Sequence, residues 1–591
     1  MRFLTRIYRS PLVLHKKICN SSKLVPLILR SRSFSSDSRV GFNDYEKERK
    51  SWNVEIPEKF NFASDVIDAW AQREKNGQRS DETPAFWFVY ENGDEIKWSF
   101  QDLKRETERT ANFLESGCGI RRGDNVIVML PKIPEFWLVN IAAIRIGFIL
   151  SPASMQLTAK DVSYRLSALK PSCIIAHESA TEIFDQVSSS ASGLRTKISV
   201  SSKSNRIEKA GWVDFHSVIE GVEAKHKCAD TKSDESMMIF FTSGTTGNPK
   251  MVEHSHSSYG IALADAGKYW QDLTDQNIIW NLSDTGWAKT AYSNLFTPWP
   301  WGACVFVHEM RRFSPVLTLE VLSKYPIDTL CAPPLAYRMM VQQDMQKYEF
   351  CKLSHCLSAG EALNPEVIKQ WITLKGLKIY EGYGQTETVM LTGMFKCLDF
   401  KPGSLGKPAP GMDLVIIDEN ENELGPGCIG EISIRRREKM FGIFKGYKDD
   451  PEMTKKKLTE KYFHTGDVGY YDDDGYFWFV GRNDDLINCS GYRIGPFEVE
   501  SALMEHPAVM EVAVTSSPDE QKGEVVKAFV VLHEDYLMRS ELELIKELQE
   551  HAKRTTAPYK YPRKIEFMKE LPKTTSGKIK RNVLKKKEWR V

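Results

Sequence analysis

The sequence predicts an α/β protein with mainly parallel sheets, followed by a smaller unit over the last hundred residues. Three observations carry this reading. Short apolar runs of strand type alternate with helical stretches. Two hairpin signals interrupt the alternation, and the C-terminal hundred residues carry a strand and helix pattern of their own. Alternation of this kind implies strands laid parallel by helical crossovers.

Each element has its own justification. Residues 85–100 read as a hairpin turning near Asn92-Gly93. Residues 124–131 read as a buried strand, with the apolar run 136–150 as the helix after it. That run falls short of the ~20 residues that span a bilayer, and it contains Arg145. A buried helix is therefore expected, and no membrane span. Residues 173–178 and 237–244 are further strands, and 472–482 a second hairpin. Beyond these, 496–509 has helical spacing with Pro496 in its first turn. Segments 511–517 and 525–532 are strands, and 540–556 is an amphipathic helix. The boundary between the two units falls near 482–485.

A chain of 591 residues exceeds what one core organises. Lysine plus arginine (80) nearly cancel aspartate plus glutamate (79), which removes the electrostatic footprint of a nucleic-acid partner. An anionic substrate must be held by a local site. None of the 11 cysteines has CxxC spacing; Cys351 and Cys356 come nearest. They read as reduced thiols packed as small hydrophobes. The first 36 residues hold eight basic residues, from Arg2 to Arg32, and no acid, and they end in a serine-rich patch. That is the composition of a mitochondrial transit peptide, with a cut after Phe34 expected. A basic tail that targets nothing is the alternative. The sequence carries no signal of oligomeric state, and a monomer is one option among others.

Four motifs carry chemistry. In residues 241–250 an apolar strand gives way to Thr242, Ser243, Gly244, Thr245, Thr246, Gly247, Asn248, Pro249 and Lys250. Glycines let backbone N–H groups turn toward an anion, hydroxyls add donors, and the lysine adds charge. The spacing is not that of the GxxxxGK[ST] phosphate loop, and a surface loop is the plain alternative. The second motif, 380–387, sets an aromatic between glycines and ends on Gln385, Thr386 and Glu387. It offers a flat face and polar edges for a purine, with a hard oxygen for magnesium at Glu387; a simple capped turn is the alternative. The third spans 464–500, where Asp467 and Arg482 flank a hairpin turn. The pair could hold ribose hydroxyls or phosphate, or form a surface ion pair. The fourth is 572–581, with Lys578 in a Ser-Gly loop; basic tails of this kind are often only solvated.

Taken in order, these motifs resemble the adenylate-forming superfamily, from about Tyr45 to the C-terminus. Within it, segments 55–63, 283–289, 358–363, 489–500, 523–531 and 556–564 look most like the mitochondrial medium-chain acyl-CoA synthetase family. The resemblance implies a transit peptide over 1–34. It implies a large N-terminal domain of packed mixed sheets over 45–482 and a small mobile α+β domain over 483–591. It implies that ATP is bound by residues 242–250, by Glu381, Gly382, Tyr383, Gly384, Gln385 and Thr386, and by Asp467, Arg482 and Lys578. Magnesium would lie on Glu387. The acyl group would be met by Gly384, Thr386 and Arg493. Coenzyme A would be met by Gln156, Ser490, Gly491, Tyr492, Lys522, Tyr561, Pro562 and Arg563. Asp484 would be the hinge and Lys578 the catalytic lysine. Relatives restricted to acetate have tryptophan where this chain has Gly384. Its absence would leave room for methylenes, each adding ~0.8 kcal/mol when buried, or for a ring. A medium-chain or benzoate-like acid in the mitochondrial matrix is thus expected.

Two positions depart from the family pattern. Lys522 stands where arginine is usual, so bidentate geometry would be lost. Glu253 stands where a small residue is usual, and would weaken ATP binding if it points inward. Two rival readings remain open at this level: an adenylating enzyme with another acceptor, and a binding protein on an inherited fold. Adenylate without thioester would mark the first, and nucleotide binding without turnover the second.

Overall fold

A computed structural model describes residues 42–80, 82–188, 191–201, 209–242, 248–438, 440–489, 492–520, 522–573 and 578–589. The expected transit segment, Ser243–Gly247 of the phosphate loop, and Ser490 and Gly491 lie outside these residues.

Two large sheets dominate. One runs in spatial order Gly446–Tyr447, Lys250–Ser255, Ser236–Thr242, Ile149–Pro152, Asn125–Met129, Cys173–His177, Thr196–Val200 and Val213–Asp214. Its interior is parallel, and antiparallel strands close one edge. The other is parallel through Phe86–Val89, Cys304–His308, Ile278–Asn281, Thr329–Ala332, His355–Ala359 and Ile379–Gly384, with antiparallel edges. Central strands of both bury nearly every residue, as parallel sheets covered on two faces require.

The helix Pro134–Ile146 is buried at all 13 positions. Its Trp137 packs on Phe86 of one sheet (centroids 5.0 Å apart) and donates to the Asn294 carbonyl (3.0 Å). Arg145, the residue that argued against a membrane span, is fully buried and paired with Asp68 (2.5 Å) and Thr107 Oγ1 (3.0 Å). An isolated cation at that depth would cost several kcal/mol, and this pairing offsets it. No helix among the described residues is long and apolar enough to cross a membrane. The ten cysteines among them are free.

An antiparallel sheet of Leu414–Ile417, Gly430–Arg435, Tyr462–Tyr471 and Phe477–Arg482 follows. A small α+β domain comes last. Its sheet of Tyr492–Ile494, Ile487–Cys489, Gly523–Leu532 and Val509–Asp519, with Lys564–Phe567 alongside, packs helices Pro496–Met504 and Glu541–Thr555. It has its own core, including Val499, Leu503, Val514, Val526 and Leu548. The expected helix over 496–509 stops at Met504, five residues early, because Val509 already belongs to the next strand.

Six elements position the candidate site. They are strands β1 (Lys250–Ser255), β2 (Ile379–Gly384) and β3 (Gly446–Tyr447), helix α1 (Pro451–Lys457), and strands β4 (Tyr462–Tyr471) and β5 (Phe477–Arg482).

Candidate active site

Strand β1 pairs with Ser236–Thr242 so that Thr242 faces Lys250 across the register. The phosphate-loop segment therefore joins the ends of one hairpin. Along β1 alternate residues share a face. Lys250 Nζ lies 5.3 Å from the centroid of the Tyr447 ring and 3.7 Å from Met453 Sδ. Two strand steps of two residues further on, His254 Nε2 meets the Thr386 carbonyl at 2.6 Å. That oxygen can only accept, so Nε2 carries the hydrogen and Nδ1 takes the Ser258 hydroxyl (3.0 Å). Burial pushes His254 down to about 4, which keeps the ring neutral. Glu253 belongs to the opposite face. It lines a groove with Arg436, Lys445, Lys448, Lys455 and Asp449, and the Tyr447 ring borders the same groove.

Tyr447 of β3 donates its hydroxyl to Glu387 Oε1 (2.7 Å). One aromatic ring thus ties together the lysine at the end of the expected phosphate loop and the expected metal-binding carboxylate. Among the described residues, no group of three or more His, Cys, Asp or Glu is assembled around a cation site. A hard cation at Glu387 would have to bring most of its oxygen ligands with it, which suits magnesium carried on phosphates.

Strands β4 and β5 form the expected hairpin, and Asp467 and Arg482 are register partners in it. Asp467 is 6% exposed. Its Oδ2 accepts from Tyr383 Oη and from Gln385 Nε2, both at 2.7 Å. Arg482 Nε lies 3.8 Å from Asp467 Oδ1 and 3.5 Å from Asp484 Oδ1. Gln385 Nε2 also donates to the Thr465 carbonyl (2.9 Å). Both partners are acceptors, so the amide orientation is fixed. Gln385 Oε1 is then left buried without a partner among the described residues. A buried orphan acceptor is costly unless a ligand supplies a donor.

Glu381 and Gly384 have roles that the motif does not reveal. The Glu381 carboxyl is buried and accepts the Leu363 N–H (2.9 Å), tying β2 to the 358–363 segment. Gly384 sits at an irregularity between β2 and Met390–Gly393. A Cβ there would lie 2.5 Å from the Val389 carbonyl oxygen. Close strand approach by itself demands glycine, so the residue does not measure the acyl cavity.

The remaining candidates are on the small domain or at its junction, except Gln156, which is on the large domain. Tyr492 is half exposed and stacks on Tyr559 (4.2 Å, 21°). Arg563 donates to Tyr561 Oη (3.0 Å), and Pro562 accepts from Gln549 (3.1 Å). Lys522 is placed by its backbone N–H on Asp519 (3.0 Å), and Gln156 is exposed beside Ser154. Asp484 lies in a turn, its carbonyl taking Lys585 Nζ (3.3 Å). Arg493 forms an exposed ion pair with Glu419 of the large domain. Lys578 is exposed. Three residues on, the half-buried Arg581 pairs with Glu500 (2.5 Å) and feels Asp485 and, from the large domain, Glu361.

The structure therefore gathers Lys250, Glu387, Thr386, Tyr383, Gln385, Asp467 and Arg482 on one face of the large domain. Tyr447 and His254 complete that face. The sequence offered no signal for Tyr447, which is 60 positions from its partner.

An α/β domain that gathers the residues expected to hold phosphate, purine and ribose, followed by a separately cored small domain, fits a nucleotide-using enzyme class. A family model described as "AMP-binding enzyme" matches residues 73–448, and "AMP-binding enzyme C-terminal domain" matches 498–578. The chain belongs to the AMP-binding enzyme family. It is 51% identical over 565 residues to mouse acyl-coenzyme A synthetase ACSM3, mitochondrial, covering 95% of this chain and 97% of that one. It is 52% identical over 539 residues to human acyl-coenzyme A synthetase ACSM4, mitochondrial, covering 91% and 92%. Its fold matches a crystal structure of the anthranilate CoA ligase AuaEII in complex with anthranoyl-AMP. The TM-score is 0.81 at 25% identity, over 90% of this chain and 98% of that one.

Proposed function

We propose that the protein is an ATP-dependent acid–CoA ligase of the mitochondrion, placed in the matrix, that works through an acyl-adenylate and releases AMP and pyrophosphate. The observation that carries this is the single face joining Lys250, Glu387, Gln385 and Asp467. Full-length similarity to acyl-coenzyme A synthetases supports it.

The residues take the following roles. Lys250 and the loop before it hold the triphosphate, and Glu387, oriented by Tyr447, holds magnesium carried on it. Tyr383, Gln385 and Asp467 receive the nucleoside, with Arg482 at the ribose edge. Lys578 meets the charge that develops when the carboxylate attacks the α-phosphorus. Residues 483–591 then turn about Asp484. That withdraws Lys578, separates Arg493 from Glu419, and brings Arg493 and Tyr492 toward Thr386 for thioester formation. Lys522, Tyr561, Pro562, Arg563 and Gln156 meet coenzyme A. The acid is of medium chain length or benzoate-like.

The test uses the chain from Ser35 with ATP, magnesium and coenzyme A. Acetate, butyrate, octanoate, palmitate and benzoate are offered in turn, and AMP and acyl-CoA are followed together. Thioester with octanoate or benzoate and little with acetate is expected. AMP without thioester would point to another acceptor, and no turnover at all would reject the enzyme reading.

A further inference from the structure

The groups behind Asp467 converge on a lysine that no motif marks. Helix α1 ends on Lys457. Its Nζ donates to the carbonyls of His464 (2.7 Å) and Thr465 (2.6 Å), the residues that lead into Asp467. The Thr465 carbonyl is shared with Gln385 Nε2 (2.9 Å). Gly466, between Thr465 and Asp467, has φ +74°, a region that favours glycine. Its N–H donates to Glu431 Oε1 (2.7 Å), and a Cβ there would lie 3.7 Å from Lys457 Nζ. The turn 464–467 is therefore clamped by Lys457, Gln385 and Glu431 together.

The electrostatics point the same way. Burial lowers the Lys457 ammonium and Arg482 adds to that, while the fields of Glu387, Asp467 and Glu431 hold it up. A desolvated ammonium needs such partners to be tolerated. In return it offsets two carboxylates that would otherwise repel each other and an arriving triphosphate.

We propose that Lys457 is a positioning residue for nucleotide binding, fixing the turn 464–467 so that Asp467 presents its carboxylate to the ribose, and offsetting the charge of Asp467 and Glu387. The proposal rests on the reading of Asp467 as a nucleotide-binding group. Lys457 reaches Asp467 through the backbone and takes no part in the bond changes.

The experiment is a cycle in the complete enzyme: Lys457→Met, Lys457→Arg, Asp467→Asn, and the Met/Asn double variant. Lys457→Met raises KM for ATP about tenfold. It leaves KM for the acid and for coenzyme A within about twofold of wild type. Lys457→Arg, which keeps charge and donors, recovers most of the loss. In the double variant the methionine adds little to the loss already caused by Asp467→Asn. Fully additive losses, an equal rise in all three KM values, or an arginine variant no better than methionine would overturn the proposal. Should the methionine variant fail to fold, Lys457→Gln must still raise KM for ATP, and an unchanged value rejects the role. If Asp467→Asn alone leaves KM for ATP unchanged, the reading of Asp467 falls first and this proposal with it.

Discussion

The two domains hold their candidate residues differently. On the large domain, Asp467, Gln385, Glu387 and His254 are each held by at least one hydrogen bond to another strand or turn. On the small domain, Tyr492 and Lys578 are exposed, and Arg493 is held by an exposed ion pair. Fixed groups suit a ligand bound through both half-reactions, because orientation is set before the ligand arrives. Exposed groups on a separately cored domain suit delivery, first by one side and then by another. The difference teaches which residues must be precise and which must be able to leave.

Breaking the delivered side should have the largest effect. Lys578→Ala should slow adenylate formation by about 10²–10³-fold, the range for one electrostatic group aimed at developing charge. Thioester formation from pre-made acyl-adenylate should stay within about twofold of wild type. Pyrophosphate exchange and single-turnover thioester assays separate the two. Equal loss in both would mean that Lys578 holds the fold or the nucleotide and is not exchanged between steps.

Breaking the fixed side should reveal a built-in cost. Burial raises the Glu381 carboxyl from 4.5 to about 8, despite the Leu363 N–H it accepts. The folded chain thus holds a proton that the unfolded chain releases. Its contribution is fully present below about pH 4.5 and is lost as pH rises through 8. Between pH 5 and 8 the wild type should lose about 1–3 kcal/mol from this source. Glu381→Gln, which keeps the acceptor for Leu363, should flatten the profile. Urea unfolding of the ligand-free protein measures it, and parallel profiles for the two proteins would remove Glu381 from the account.

The fixed face was also the more legible one. Asp467 and Arg482 flank a turn closed by Gly475, so a hairpin puts them opposite each other on spacing alone. Arg145 could be read as buried, because no membrane helix would hold it and a paired core would. Tyr447 and Lys457 were not legible. Their partners lie 60 and 8 positions away, and the contacts depend on how β3 and α1 dock on the sheets. Gly384 was legible as glycine but not for its reason: the sequence suggested open space, and the structure shows the Val389 carbonyl close by. Arg493 illustrates a different gap. If the small domain turns as proposed, Arg493 has more than one neighbourhood, and local sequence encodes none of them.

The smallest predicted effect sharpens the comparison most. The ion pair of Arg493 with Glu419 joins the two domains at an exposed place, and pairs of this type contribute roughly 0–1 kcal/mol. Such a contact is weak enough to break in every cycle. Glu419→Gln should therefore leave adenylate formation and thermal stability nearly unchanged. Releasing Arg493 should make the turned arrangement easier to reach by about 0.5 kcal/mol, which is roughly a twofold gain in the thioester step when rotation limits it. Single-turnover thioester formation from pre-made adenylate, at low and high salt, is the measurement. Wild type should approach the variant as salt screens the pair. A variant slower than wild type at both salts would place Glu419 in the thioester arrangement itself, and the division into fixed and delivered faces would then have to include a third surface.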